Sequence, residues 1–361
     1  MKAIIKRELK NYLKNPVLWV GLVFIIFQLY QTLNPYLEIR YYQSEKDIEA
    51  LEPENIADAD ITEGYVLSSK EEQMALACEK IKKDLAEAEG ITEQEADQIL
   101  EDMRHRGLSI DEMEVELAEK YEFYGKYGVK YYYDISEYHK AGYEEANAYI
   151  ASNLEEHSFS YYFSRKFADF CGLFMGFFSS VLLAFLFIRD SKKDTYELLH
   201  TKPISSGAYV CGKIGGGFFA MLGIWGILTI IFGGLCEFCG RRAGFPVSMA
   251  DFIITASVYI LPNMLMIASI YGAAALIFKN PLPAVPLLFL YLIYSNMGSI
   301  GPDGEYGYFG RPLAIMVRFP GKFFETAPPP LALLNQTFLS AAAVLLIVCL
   351  LYTSPSPRDR Q

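Results

Sequence analysis

Histidine occurs four times and cysteine six times in 361 residues, and neither type gathers into a ligand set. His105, His139 and His157 are scattered and read as surface residues. Cys236-Glu-Phe-Cys239 is the suggestive cysteine pair. With no second pair and no nearby histidine it does not make a zinc site, and one Cys-x-x-Cys is weak ground for redox chemistry. The many acids show none of the regular oxygen-ligand spacing of a calcium loop. A complete phosphate-binding loop is missing too. Gly207 to Lys213 follows that pattern up to its last position, where Ile214 replaces the serine or threonine that would bind magnesium. No nucleophile–base pair stands out. Metal hydrolysis and self-powered nucleotide chemistry are therefore poor readings of this chain. For an enzyme embedded in a membrane, Asp169 and Glu237 are the carboxylates worth testing.

What is abundant is apolar surface. Apolar residues make up 52% of the chain and aromatics 15%, which is rich for a soluble protein. They cluster in six runs: 17–33, 167–188, 214–235, 252–278, 282–300 and 331–351. A helix of roughly 20 residues crosses a hydrocarbon core of about 30 Å, and most of these runs reach that length. The first can extend through Leu37. The fifth is the weakest, because it contains Pro283, Pro286, Ser295 and Asn296. Charged groups are scarce inside these runs. A carrier coupled to protons or ions needs ionisable side chains near the midplane, so secondary transport is disfavoured. Pro262-Asn263 within the fourth run reads as a packing kink.

Charge divides the chain. Residues 34–166 hold 32 Asp/Glu against 14 Lys/Arg, while the remainder holds 11 against 18. An acidic insert is thus grafted onto a basic membrane body, and neither part reads as a nucleic-acid binder. Positive residues favour the cytoplasmic side. With the N-terminus inside, the inner loops hold eleven: Lys2, Lys6, Arg7, Lys10, Lys14, Arg189, Lys192, Lys193, Lys202, Lys213 and Lys279. The short outer loops hold five: Arg241, Arg242, Arg311, Arg318 and Lys322. No small-residue cleavage site follows Leu33, so the first run is expected to stay as an anchor.

Residues 1–16 read as a cytoplasmic amphipathic helix. Ile4, Ile5, Leu9, Tyr12 and Leu13 recur near helical spacing between basic residues, ahead of Pro16. The first span is set at 17–33. The insert, 34–166, is expected to lie outside the cytoplasm and to be mainly helical. Lys70–Glu89 is a charged amphipathic run. Thr92-Glu-Gln-Glu95 and Ser109-Ile-Asp-Glu112 fit capping boxes, with Gly90 and Gly107 closing the helices before them. A further helix is expected over 137–154, and Tyr131–Tyr133 as a short extended piece. Phe159, Tyr161, Tyr162, Phe163, Arg165 and Lys166 suit the interface where the chain re-enters the membrane. Five more spans follow over 167–348.

Small residues four apart mark two helix faces: Gly172, Gly176, Ser180 and Ala184 in the second span, and Gly212, Gly216 and Ala220 in the third. Such faces let another backbone approach closely, within one subunit or across a dimer. Between these spans lies the loop 189–213, rich in lysine and arginine.

The basic start Lys6-Arg-Glu-Leu-Lys10, the first span, the large insert and five further spans resemble the permease subunits of exporter-type (type-2) ABC transporters. The closest local likeness is Phe187-Ile-Arg-Asp190, then Tyr196-Glu-Leu-Leu-His-Thr-Lys-Pro-Ile-Ser205, then Tyr209-Val-Cys-Gly-Lys213. The resemblance implies an all-α integral membrane protein with six transmembrane helices and an insert between the first and second. It implies no cofactor in this chain, since ATP and magnesium would bind a separate ABC ATPase subunit. A second permease subunit and membrane lipid would be the other partners, and a bacterial plasma membrane the location. Arg189, Asp190, Lys192, Lys193, Tyr196, Glu197, Leu198, Leu199, Thr201, Lys202 and Pro203 would then form the ATPase-coupling loop. Leu198, Leu199 and Tyr196 are its apolar anchors, and Lys192, Lys193 and Glu197 set the register. The competing reading is a membrane-anchored receptor or adhesion protein acting through the acidic insert. Residues 349–361 resemble a translated sequencing adapter and are expected to be non-native.

Overall fold

Residues 2–53, 55, 58–190, 205–278, 280–300, 306–307 and 311–353 are described by a computed structural model. In chain order the helices are α1 (Lys2–Leu13), α2 (Pro16–Leu37), α3 (Glu45–Glu49), α4 (Lys70–Glu89), α5 (Glu93–His105), α6 (Ile110–Tyr121), α7 (Val129–Asp134), α8 (Tyr143–Glu156), α9 (Phe159–Asp190), α10 (Ser206–Arg242), α11 (Met249–Ile277), α12 (Ala284–Asn296) and α13 (Ala332–Thr353). Strands are few and short: β1 (Tyr65–Leu67), β2 (Tyr138–Lys140), β3 (Ser299–Ile300) and β4 (Tyr306–Gly307). The chain divides into two compact units, one of residues 1–38 with 154–361 and one of residues 39–153.

In the first unit, five helices among the described residues are long and apolar enough to cross a membrane: α2, α9, α10, α11 and α13. The break between α1 and α2 is encoded locally. The Asn15 side chain accepts a hydrogen bond from the Val17 N–H at 3.0 Å, and Pro16 fills the first helical position, where its missing N–H costs nothing. Helix α2 then buries Leu18, Leu22, Ile25, Leu29, Leu33 and Leu37 as one stripe and leaves Val20, Val23, Phe24 and Phe27 exposed. That is the pattern of a helix with one face on protein and the other toward lipid or another subunit.

Helix α9 is the most enclosed span, with 67% of its apolar stretch buried, against 28–39% for the other four. It packs on α11 through aromatic rings. Phe167 lies 5.0 Å from Phe252 and 5.7 Å from Phe232 of α10, centroid to centroid. Further along, the Tyr271 hydroxyl donates to the Ser180 carbonyl.

The fifth apolar run differs from its expectation. Only 13 residues of 282–300 form helix α12, a rise of about 20 Å that falls short of a core of about 30 Å. The helix ends at Asn296, with Met297 extended, and the 311–325 stretch packs back into the unit. Ile315, Met316, Phe319 and Phe323 are buried. Polar side chains at the helix ends hold this stretch. Ser295 Oγ accepts from the Ile315 N–H at 3.1 Å, and Asn335 Nδ2 donates to the Ala314 carbonyl at 3.0 Å. Ser295 and Asn335 thus satisfy backbone groups that an apolar surround would otherwise leave unpaired.

The second unit is a small helical domain. Ile81, Leu85, Leu100, Met103, Met113, Leu117, Val129 and Tyr132 form its core, drawn from α4 to α7. The Thr92/Glu95 and Ser109/Glu112 capping boxes are both present, and a third joins Ser69 to Glu72. Gly90 and Gly107 adopt φ of +65° and +74°, closing their helices in the left-handed region that favours glycine. Two local expectations fail. Tyr131–Tyr133 is helical, within α7, because that conformation drives Val129 and Tyr132 together into the core despite the strand preference of tyrosine. Helix α8 begins at Tyr143, since Tyr138–Lys140 pairs with β1 in the register Tyr65↔Lys140, Val66↔His139, Leu67↔Tyr138.

Candidate functional site

Helix α1 lies in a groove on the first turns of α10, and glycine makes the groove. A Cβ on Gly212 would stand 2.7 Å from Ile4 Cγ2, and one on Gly216 only 2.6 Å from Glu8 Cβ. One on Gly217 would meet Leu183 at 2.8 Å and the Tyr12 hydroxyl at 3.3 Å. Ile4, Glu8 and Tyr12 are four residues apart, so they form one ridge of α1, and Gly212 and Gly216 form the matching groove. The small-residue spacing in α10 therefore receives α1, a helix of the same chain. Ala220, one turn on, is buried as well.

An ion pair closes this joint. Lys213 Nζ lies 3.1 Å from Glu8 Oε1, with side chains 5% and 6% exposed. Tyr12 is buried beside it. Burial first, and then the Glu8 charge, pushes its phenol well above the ordinary tyrosine range. The neutral hydroxyl is thus held across all physiological pH. Lys213 is also the lysine of the incomplete phosphate loop. Gly207–Lys213 lies inside α10, so its N–H groups are turned along a helix, and its lysine is engaged by Glu8.

The joint adjoins the basic loop. Arg189 and Asp190 close α9, and Ser205 caps α10, its side chain accepting from the Ala208 N–H at 3.3 Å. Lys192, Lys193, Tyr196, Glu197, Leu198, Leu199, Thr201, Lys202 and Pro203 lie outside the described residues.

The small-residue face of α9 is shared among neighbours. A Cβ on Gly176 would meet Leu292 of α12 at 2.9 Å, Ser180 receives Tyr271 of α11, and Ala184 is buried. Gly172 has nothing within 4 Å of the corresponding point. Asn263 is fully buried, and its Nδ2 donates to the Tyr259 carbonyl at 2.7 Å, beside Pro262, which lacks the N–H that would continue the ladder of α11.

Toward the other end of α9 a polar layer forms that the sequence did not disclose. Asp169 Oδ1 accepts from Arg318 Nε, and the Arg318 guanidinium also donates to Asn296 Oδ1. Lys166 donates to the Gly321 carbonyl at 2.7 Å, and Arg165 to the Thr326 carbonyl. Arg318 looked like one of several outer-loop cations; its place in the apolar run Ile315–Phe319 was the available clue. Glu237 sits elsewhere, pairing with Arg241 one turn along α10 at 2.9 Å. The two carboxylates singled out in the sequence therefore serve separate ion pairs. Cys236 Sγ lies 3.6 Å from Ser160 Oγ, and both Cys236 and Cys239 are free thiols. His139 contacts Ser68 and Glu145, while His157 stacks on Tyr161. Among the described residues no group of histidine, cysteine and acidic side chains is placed to hold a metal.

Mechanically, this arrangement is a braced joint between α1 and α10. No curated protein and no solved structure matches the chain. A family described as ABC-2 family transporter protein matches residues 2–353, from the start of α1 to the end of α13. The match takes in the glycine groove, the basic loop, the insert and all five long apolar helices, and so the chain belongs to the ABC-2 transporter family, as a multi-pass membrane permease subunit of the kind that partners an ABC ATPase.

Proposed function

We propose that this chain is the permease of an ATP-driven exporter, working as a pair of permease subunits with a separate ATPase that grips the loop 189–213. Its N-terminus and that loop face the cytoplasm of a bacterial cell, and the acidic unit lies outside. The carrying observation is the α1–α10 joint. A pull on the loop acts directly on the first turns of α10, and those turns are clamped to α1 by a glycine groove and a buried ion pair. A soft attachment would absorb the motion; a close-packed one passes it on. The count of positive residues supports the orientation. The exposed faces of α2 and α13 leave apolar surface for lipid and for a second subunit.

Co-expression with the ATPase tests the assignment. The two subunits should co-purify, and replacing residues 197–201 by Gly/Ser should abolish the complex while the permease still inserts in the membrane. An intact complex after that replacement would overturn the coupling role.

A further inference from the structure

The polar layer beside α12 contains a small pocket, and its lining has an unusual charge balance. Arg311 and Arg318 both contribute to it, with Ser295, Met297, Met316 and Asn335, and among the described residues no acidic side chain lines it. Arg318 is neutralised by Asp169. Arg311 is not: it donates to the Gly298 carbonyl and lies over the Tyr294 ring at 4.9 Å, while its buried Nε has no hydrogen-bond partner. A buried donor without a partner is costly, and a guanidinium fork matches the oxygens of carboxylate or phosphate. Space is limited to a few water-sized groups, enough for a head and not for a whole molecule. Met297, at the pocket, is exposed, and so are Leu331, Leu333 and Leu334 beside it, giving an apolar surface next to a cationic recess.

The geometry points to a binding site for the anionic head of a membrane amphiphile, phosphate or carboxylate, with Arg311 as the main contact and the chain running over the exposed leucines. The site is independent of whether an ATPase grips the loop, so its failure and that of the permease reading are separate results. Purified full-length protein in an uncharged maltoside detergent is titrated with dodecyl phosphate, inorganic phosphate and dodecyl trimethylammonium, following thermal unfolding. Dodecyl phosphate should raise the midpoint, and the other two should not. Arg311→Gln should weaken dodecyl phosphate roughly tenfold or more, the scale of a lost charge-assisted hydrogen bond, and Arg311→Lys much less. Met297→Glu changes an exposed residue and leaves Arg311 in place; its carboxylate should weaken binding by a similar factor, which keeps the test decisive if Arg311→Gln does not fold. An equal shift from inorganic phosphate would make this a free-anion site, and an equal shift from the cationic amphiphile would make it non-specific. Undiminished binding in both Arg311→Gln and Met297→Glu would remove the site. Each of these three results overturns the proposal.

Discussion

A charge buried in an apolar joint is stable only while its partner is present, which makes Glu8 and Lys213 more informative together than apart. Deleting Lys213 leaves the buried Glu8 without its cation, at a cost of about 3–5 kcal/mol, whereas replacing both by apolar groups of similar size is often close to neutral. Lys213→Met alone is therefore expected to lower the thermal midpoint of the detergent-solubilised protein sharply. The double variant Glu8→Leu with Lys213→Met should recover most of that loss. If the double variant is as unstable as the single one, the pair does not act as a unit. At this scale the sequence was only half legible. Lys213 was visible as a cation at the mouth of a span. Glu8 was one acid among basic residues, and nothing in its neighbourhood marked it as the residue that the lysine would meet 205 positions later.

At the scale of elements, glycines that look alike in sequence carry different loads. Gly172 faces open space, so Gly172→Ala should be neutral or slightly stabilising through the ordinary helix preference for alanine, about 0.5–1 kcal/mol. Gly216→Ala should cost about 1–3 kcal/mol, because the new methyl meets the Cβ of Glu8, which cannot swing aside like the end of a flexible chain. Unfolding midpoints of the two variants check both statements, and equal values would deny the groove. The acidic unit offers a test by pH. Hydrogen bonds from Arg106, then from Lys120, hold the Glu116 carboxyl down at about 2. A depressed folded pKa stabilises above the ordinary carboxylate range, and the contribution fades as pH falls toward the folded value. Hydrogen exchange in α5 and α6 should therefore be faster in Glu116→Gln than in the natural protein at neutral pH. The two should converge as pH approaches about 2. The helices of this unit were legible because their signals are local: Ser or Thr followed three residues later by Glu, and glycine at the end. Helix α7 was not, because its Tyr-rich run takes its conformation from the core that Val129 and Tyr132 enter. The end of α12 was hidden for a related reason, as hydropathy does not register Ser295 and Asn296 turning to hold a folded-back chain.

For the whole molecule, the central question is which parts move together when the ATPase closes. Close packing of Ile4, Glu8 and Tyr12 into α10 implies that α1 and the first turns of α10 form one body. Helix α11 meets α10 through Ile214 on Gly272 and the Trp225 N–H on the Ala256 carbonyl at 3.3 Å, and among the described residues no ion pair ties these two helices as Glu8–Lys213 ties α1 to α10. Motion entering at the loop should then appear between α10 and the α11–α12 turn, and not between α10 and α1. Spin labels on cysteines at Lys10, Ser205 and Asn280, all exposed positions, report this in the permease–ATPase complex. The distance from position 10 to position 205 is expected to stay constant between nucleotide-free and ATP-trapped states, while that from 205 to 280 changes. Gly216→Val should release the first constraint, because its branched side chain forces α1 out of the groove. A change between positions 10 and 205 in the natural protein would mean that α1 is a passive float on the membrane surface, and the drive would then have to pass through α9 alone.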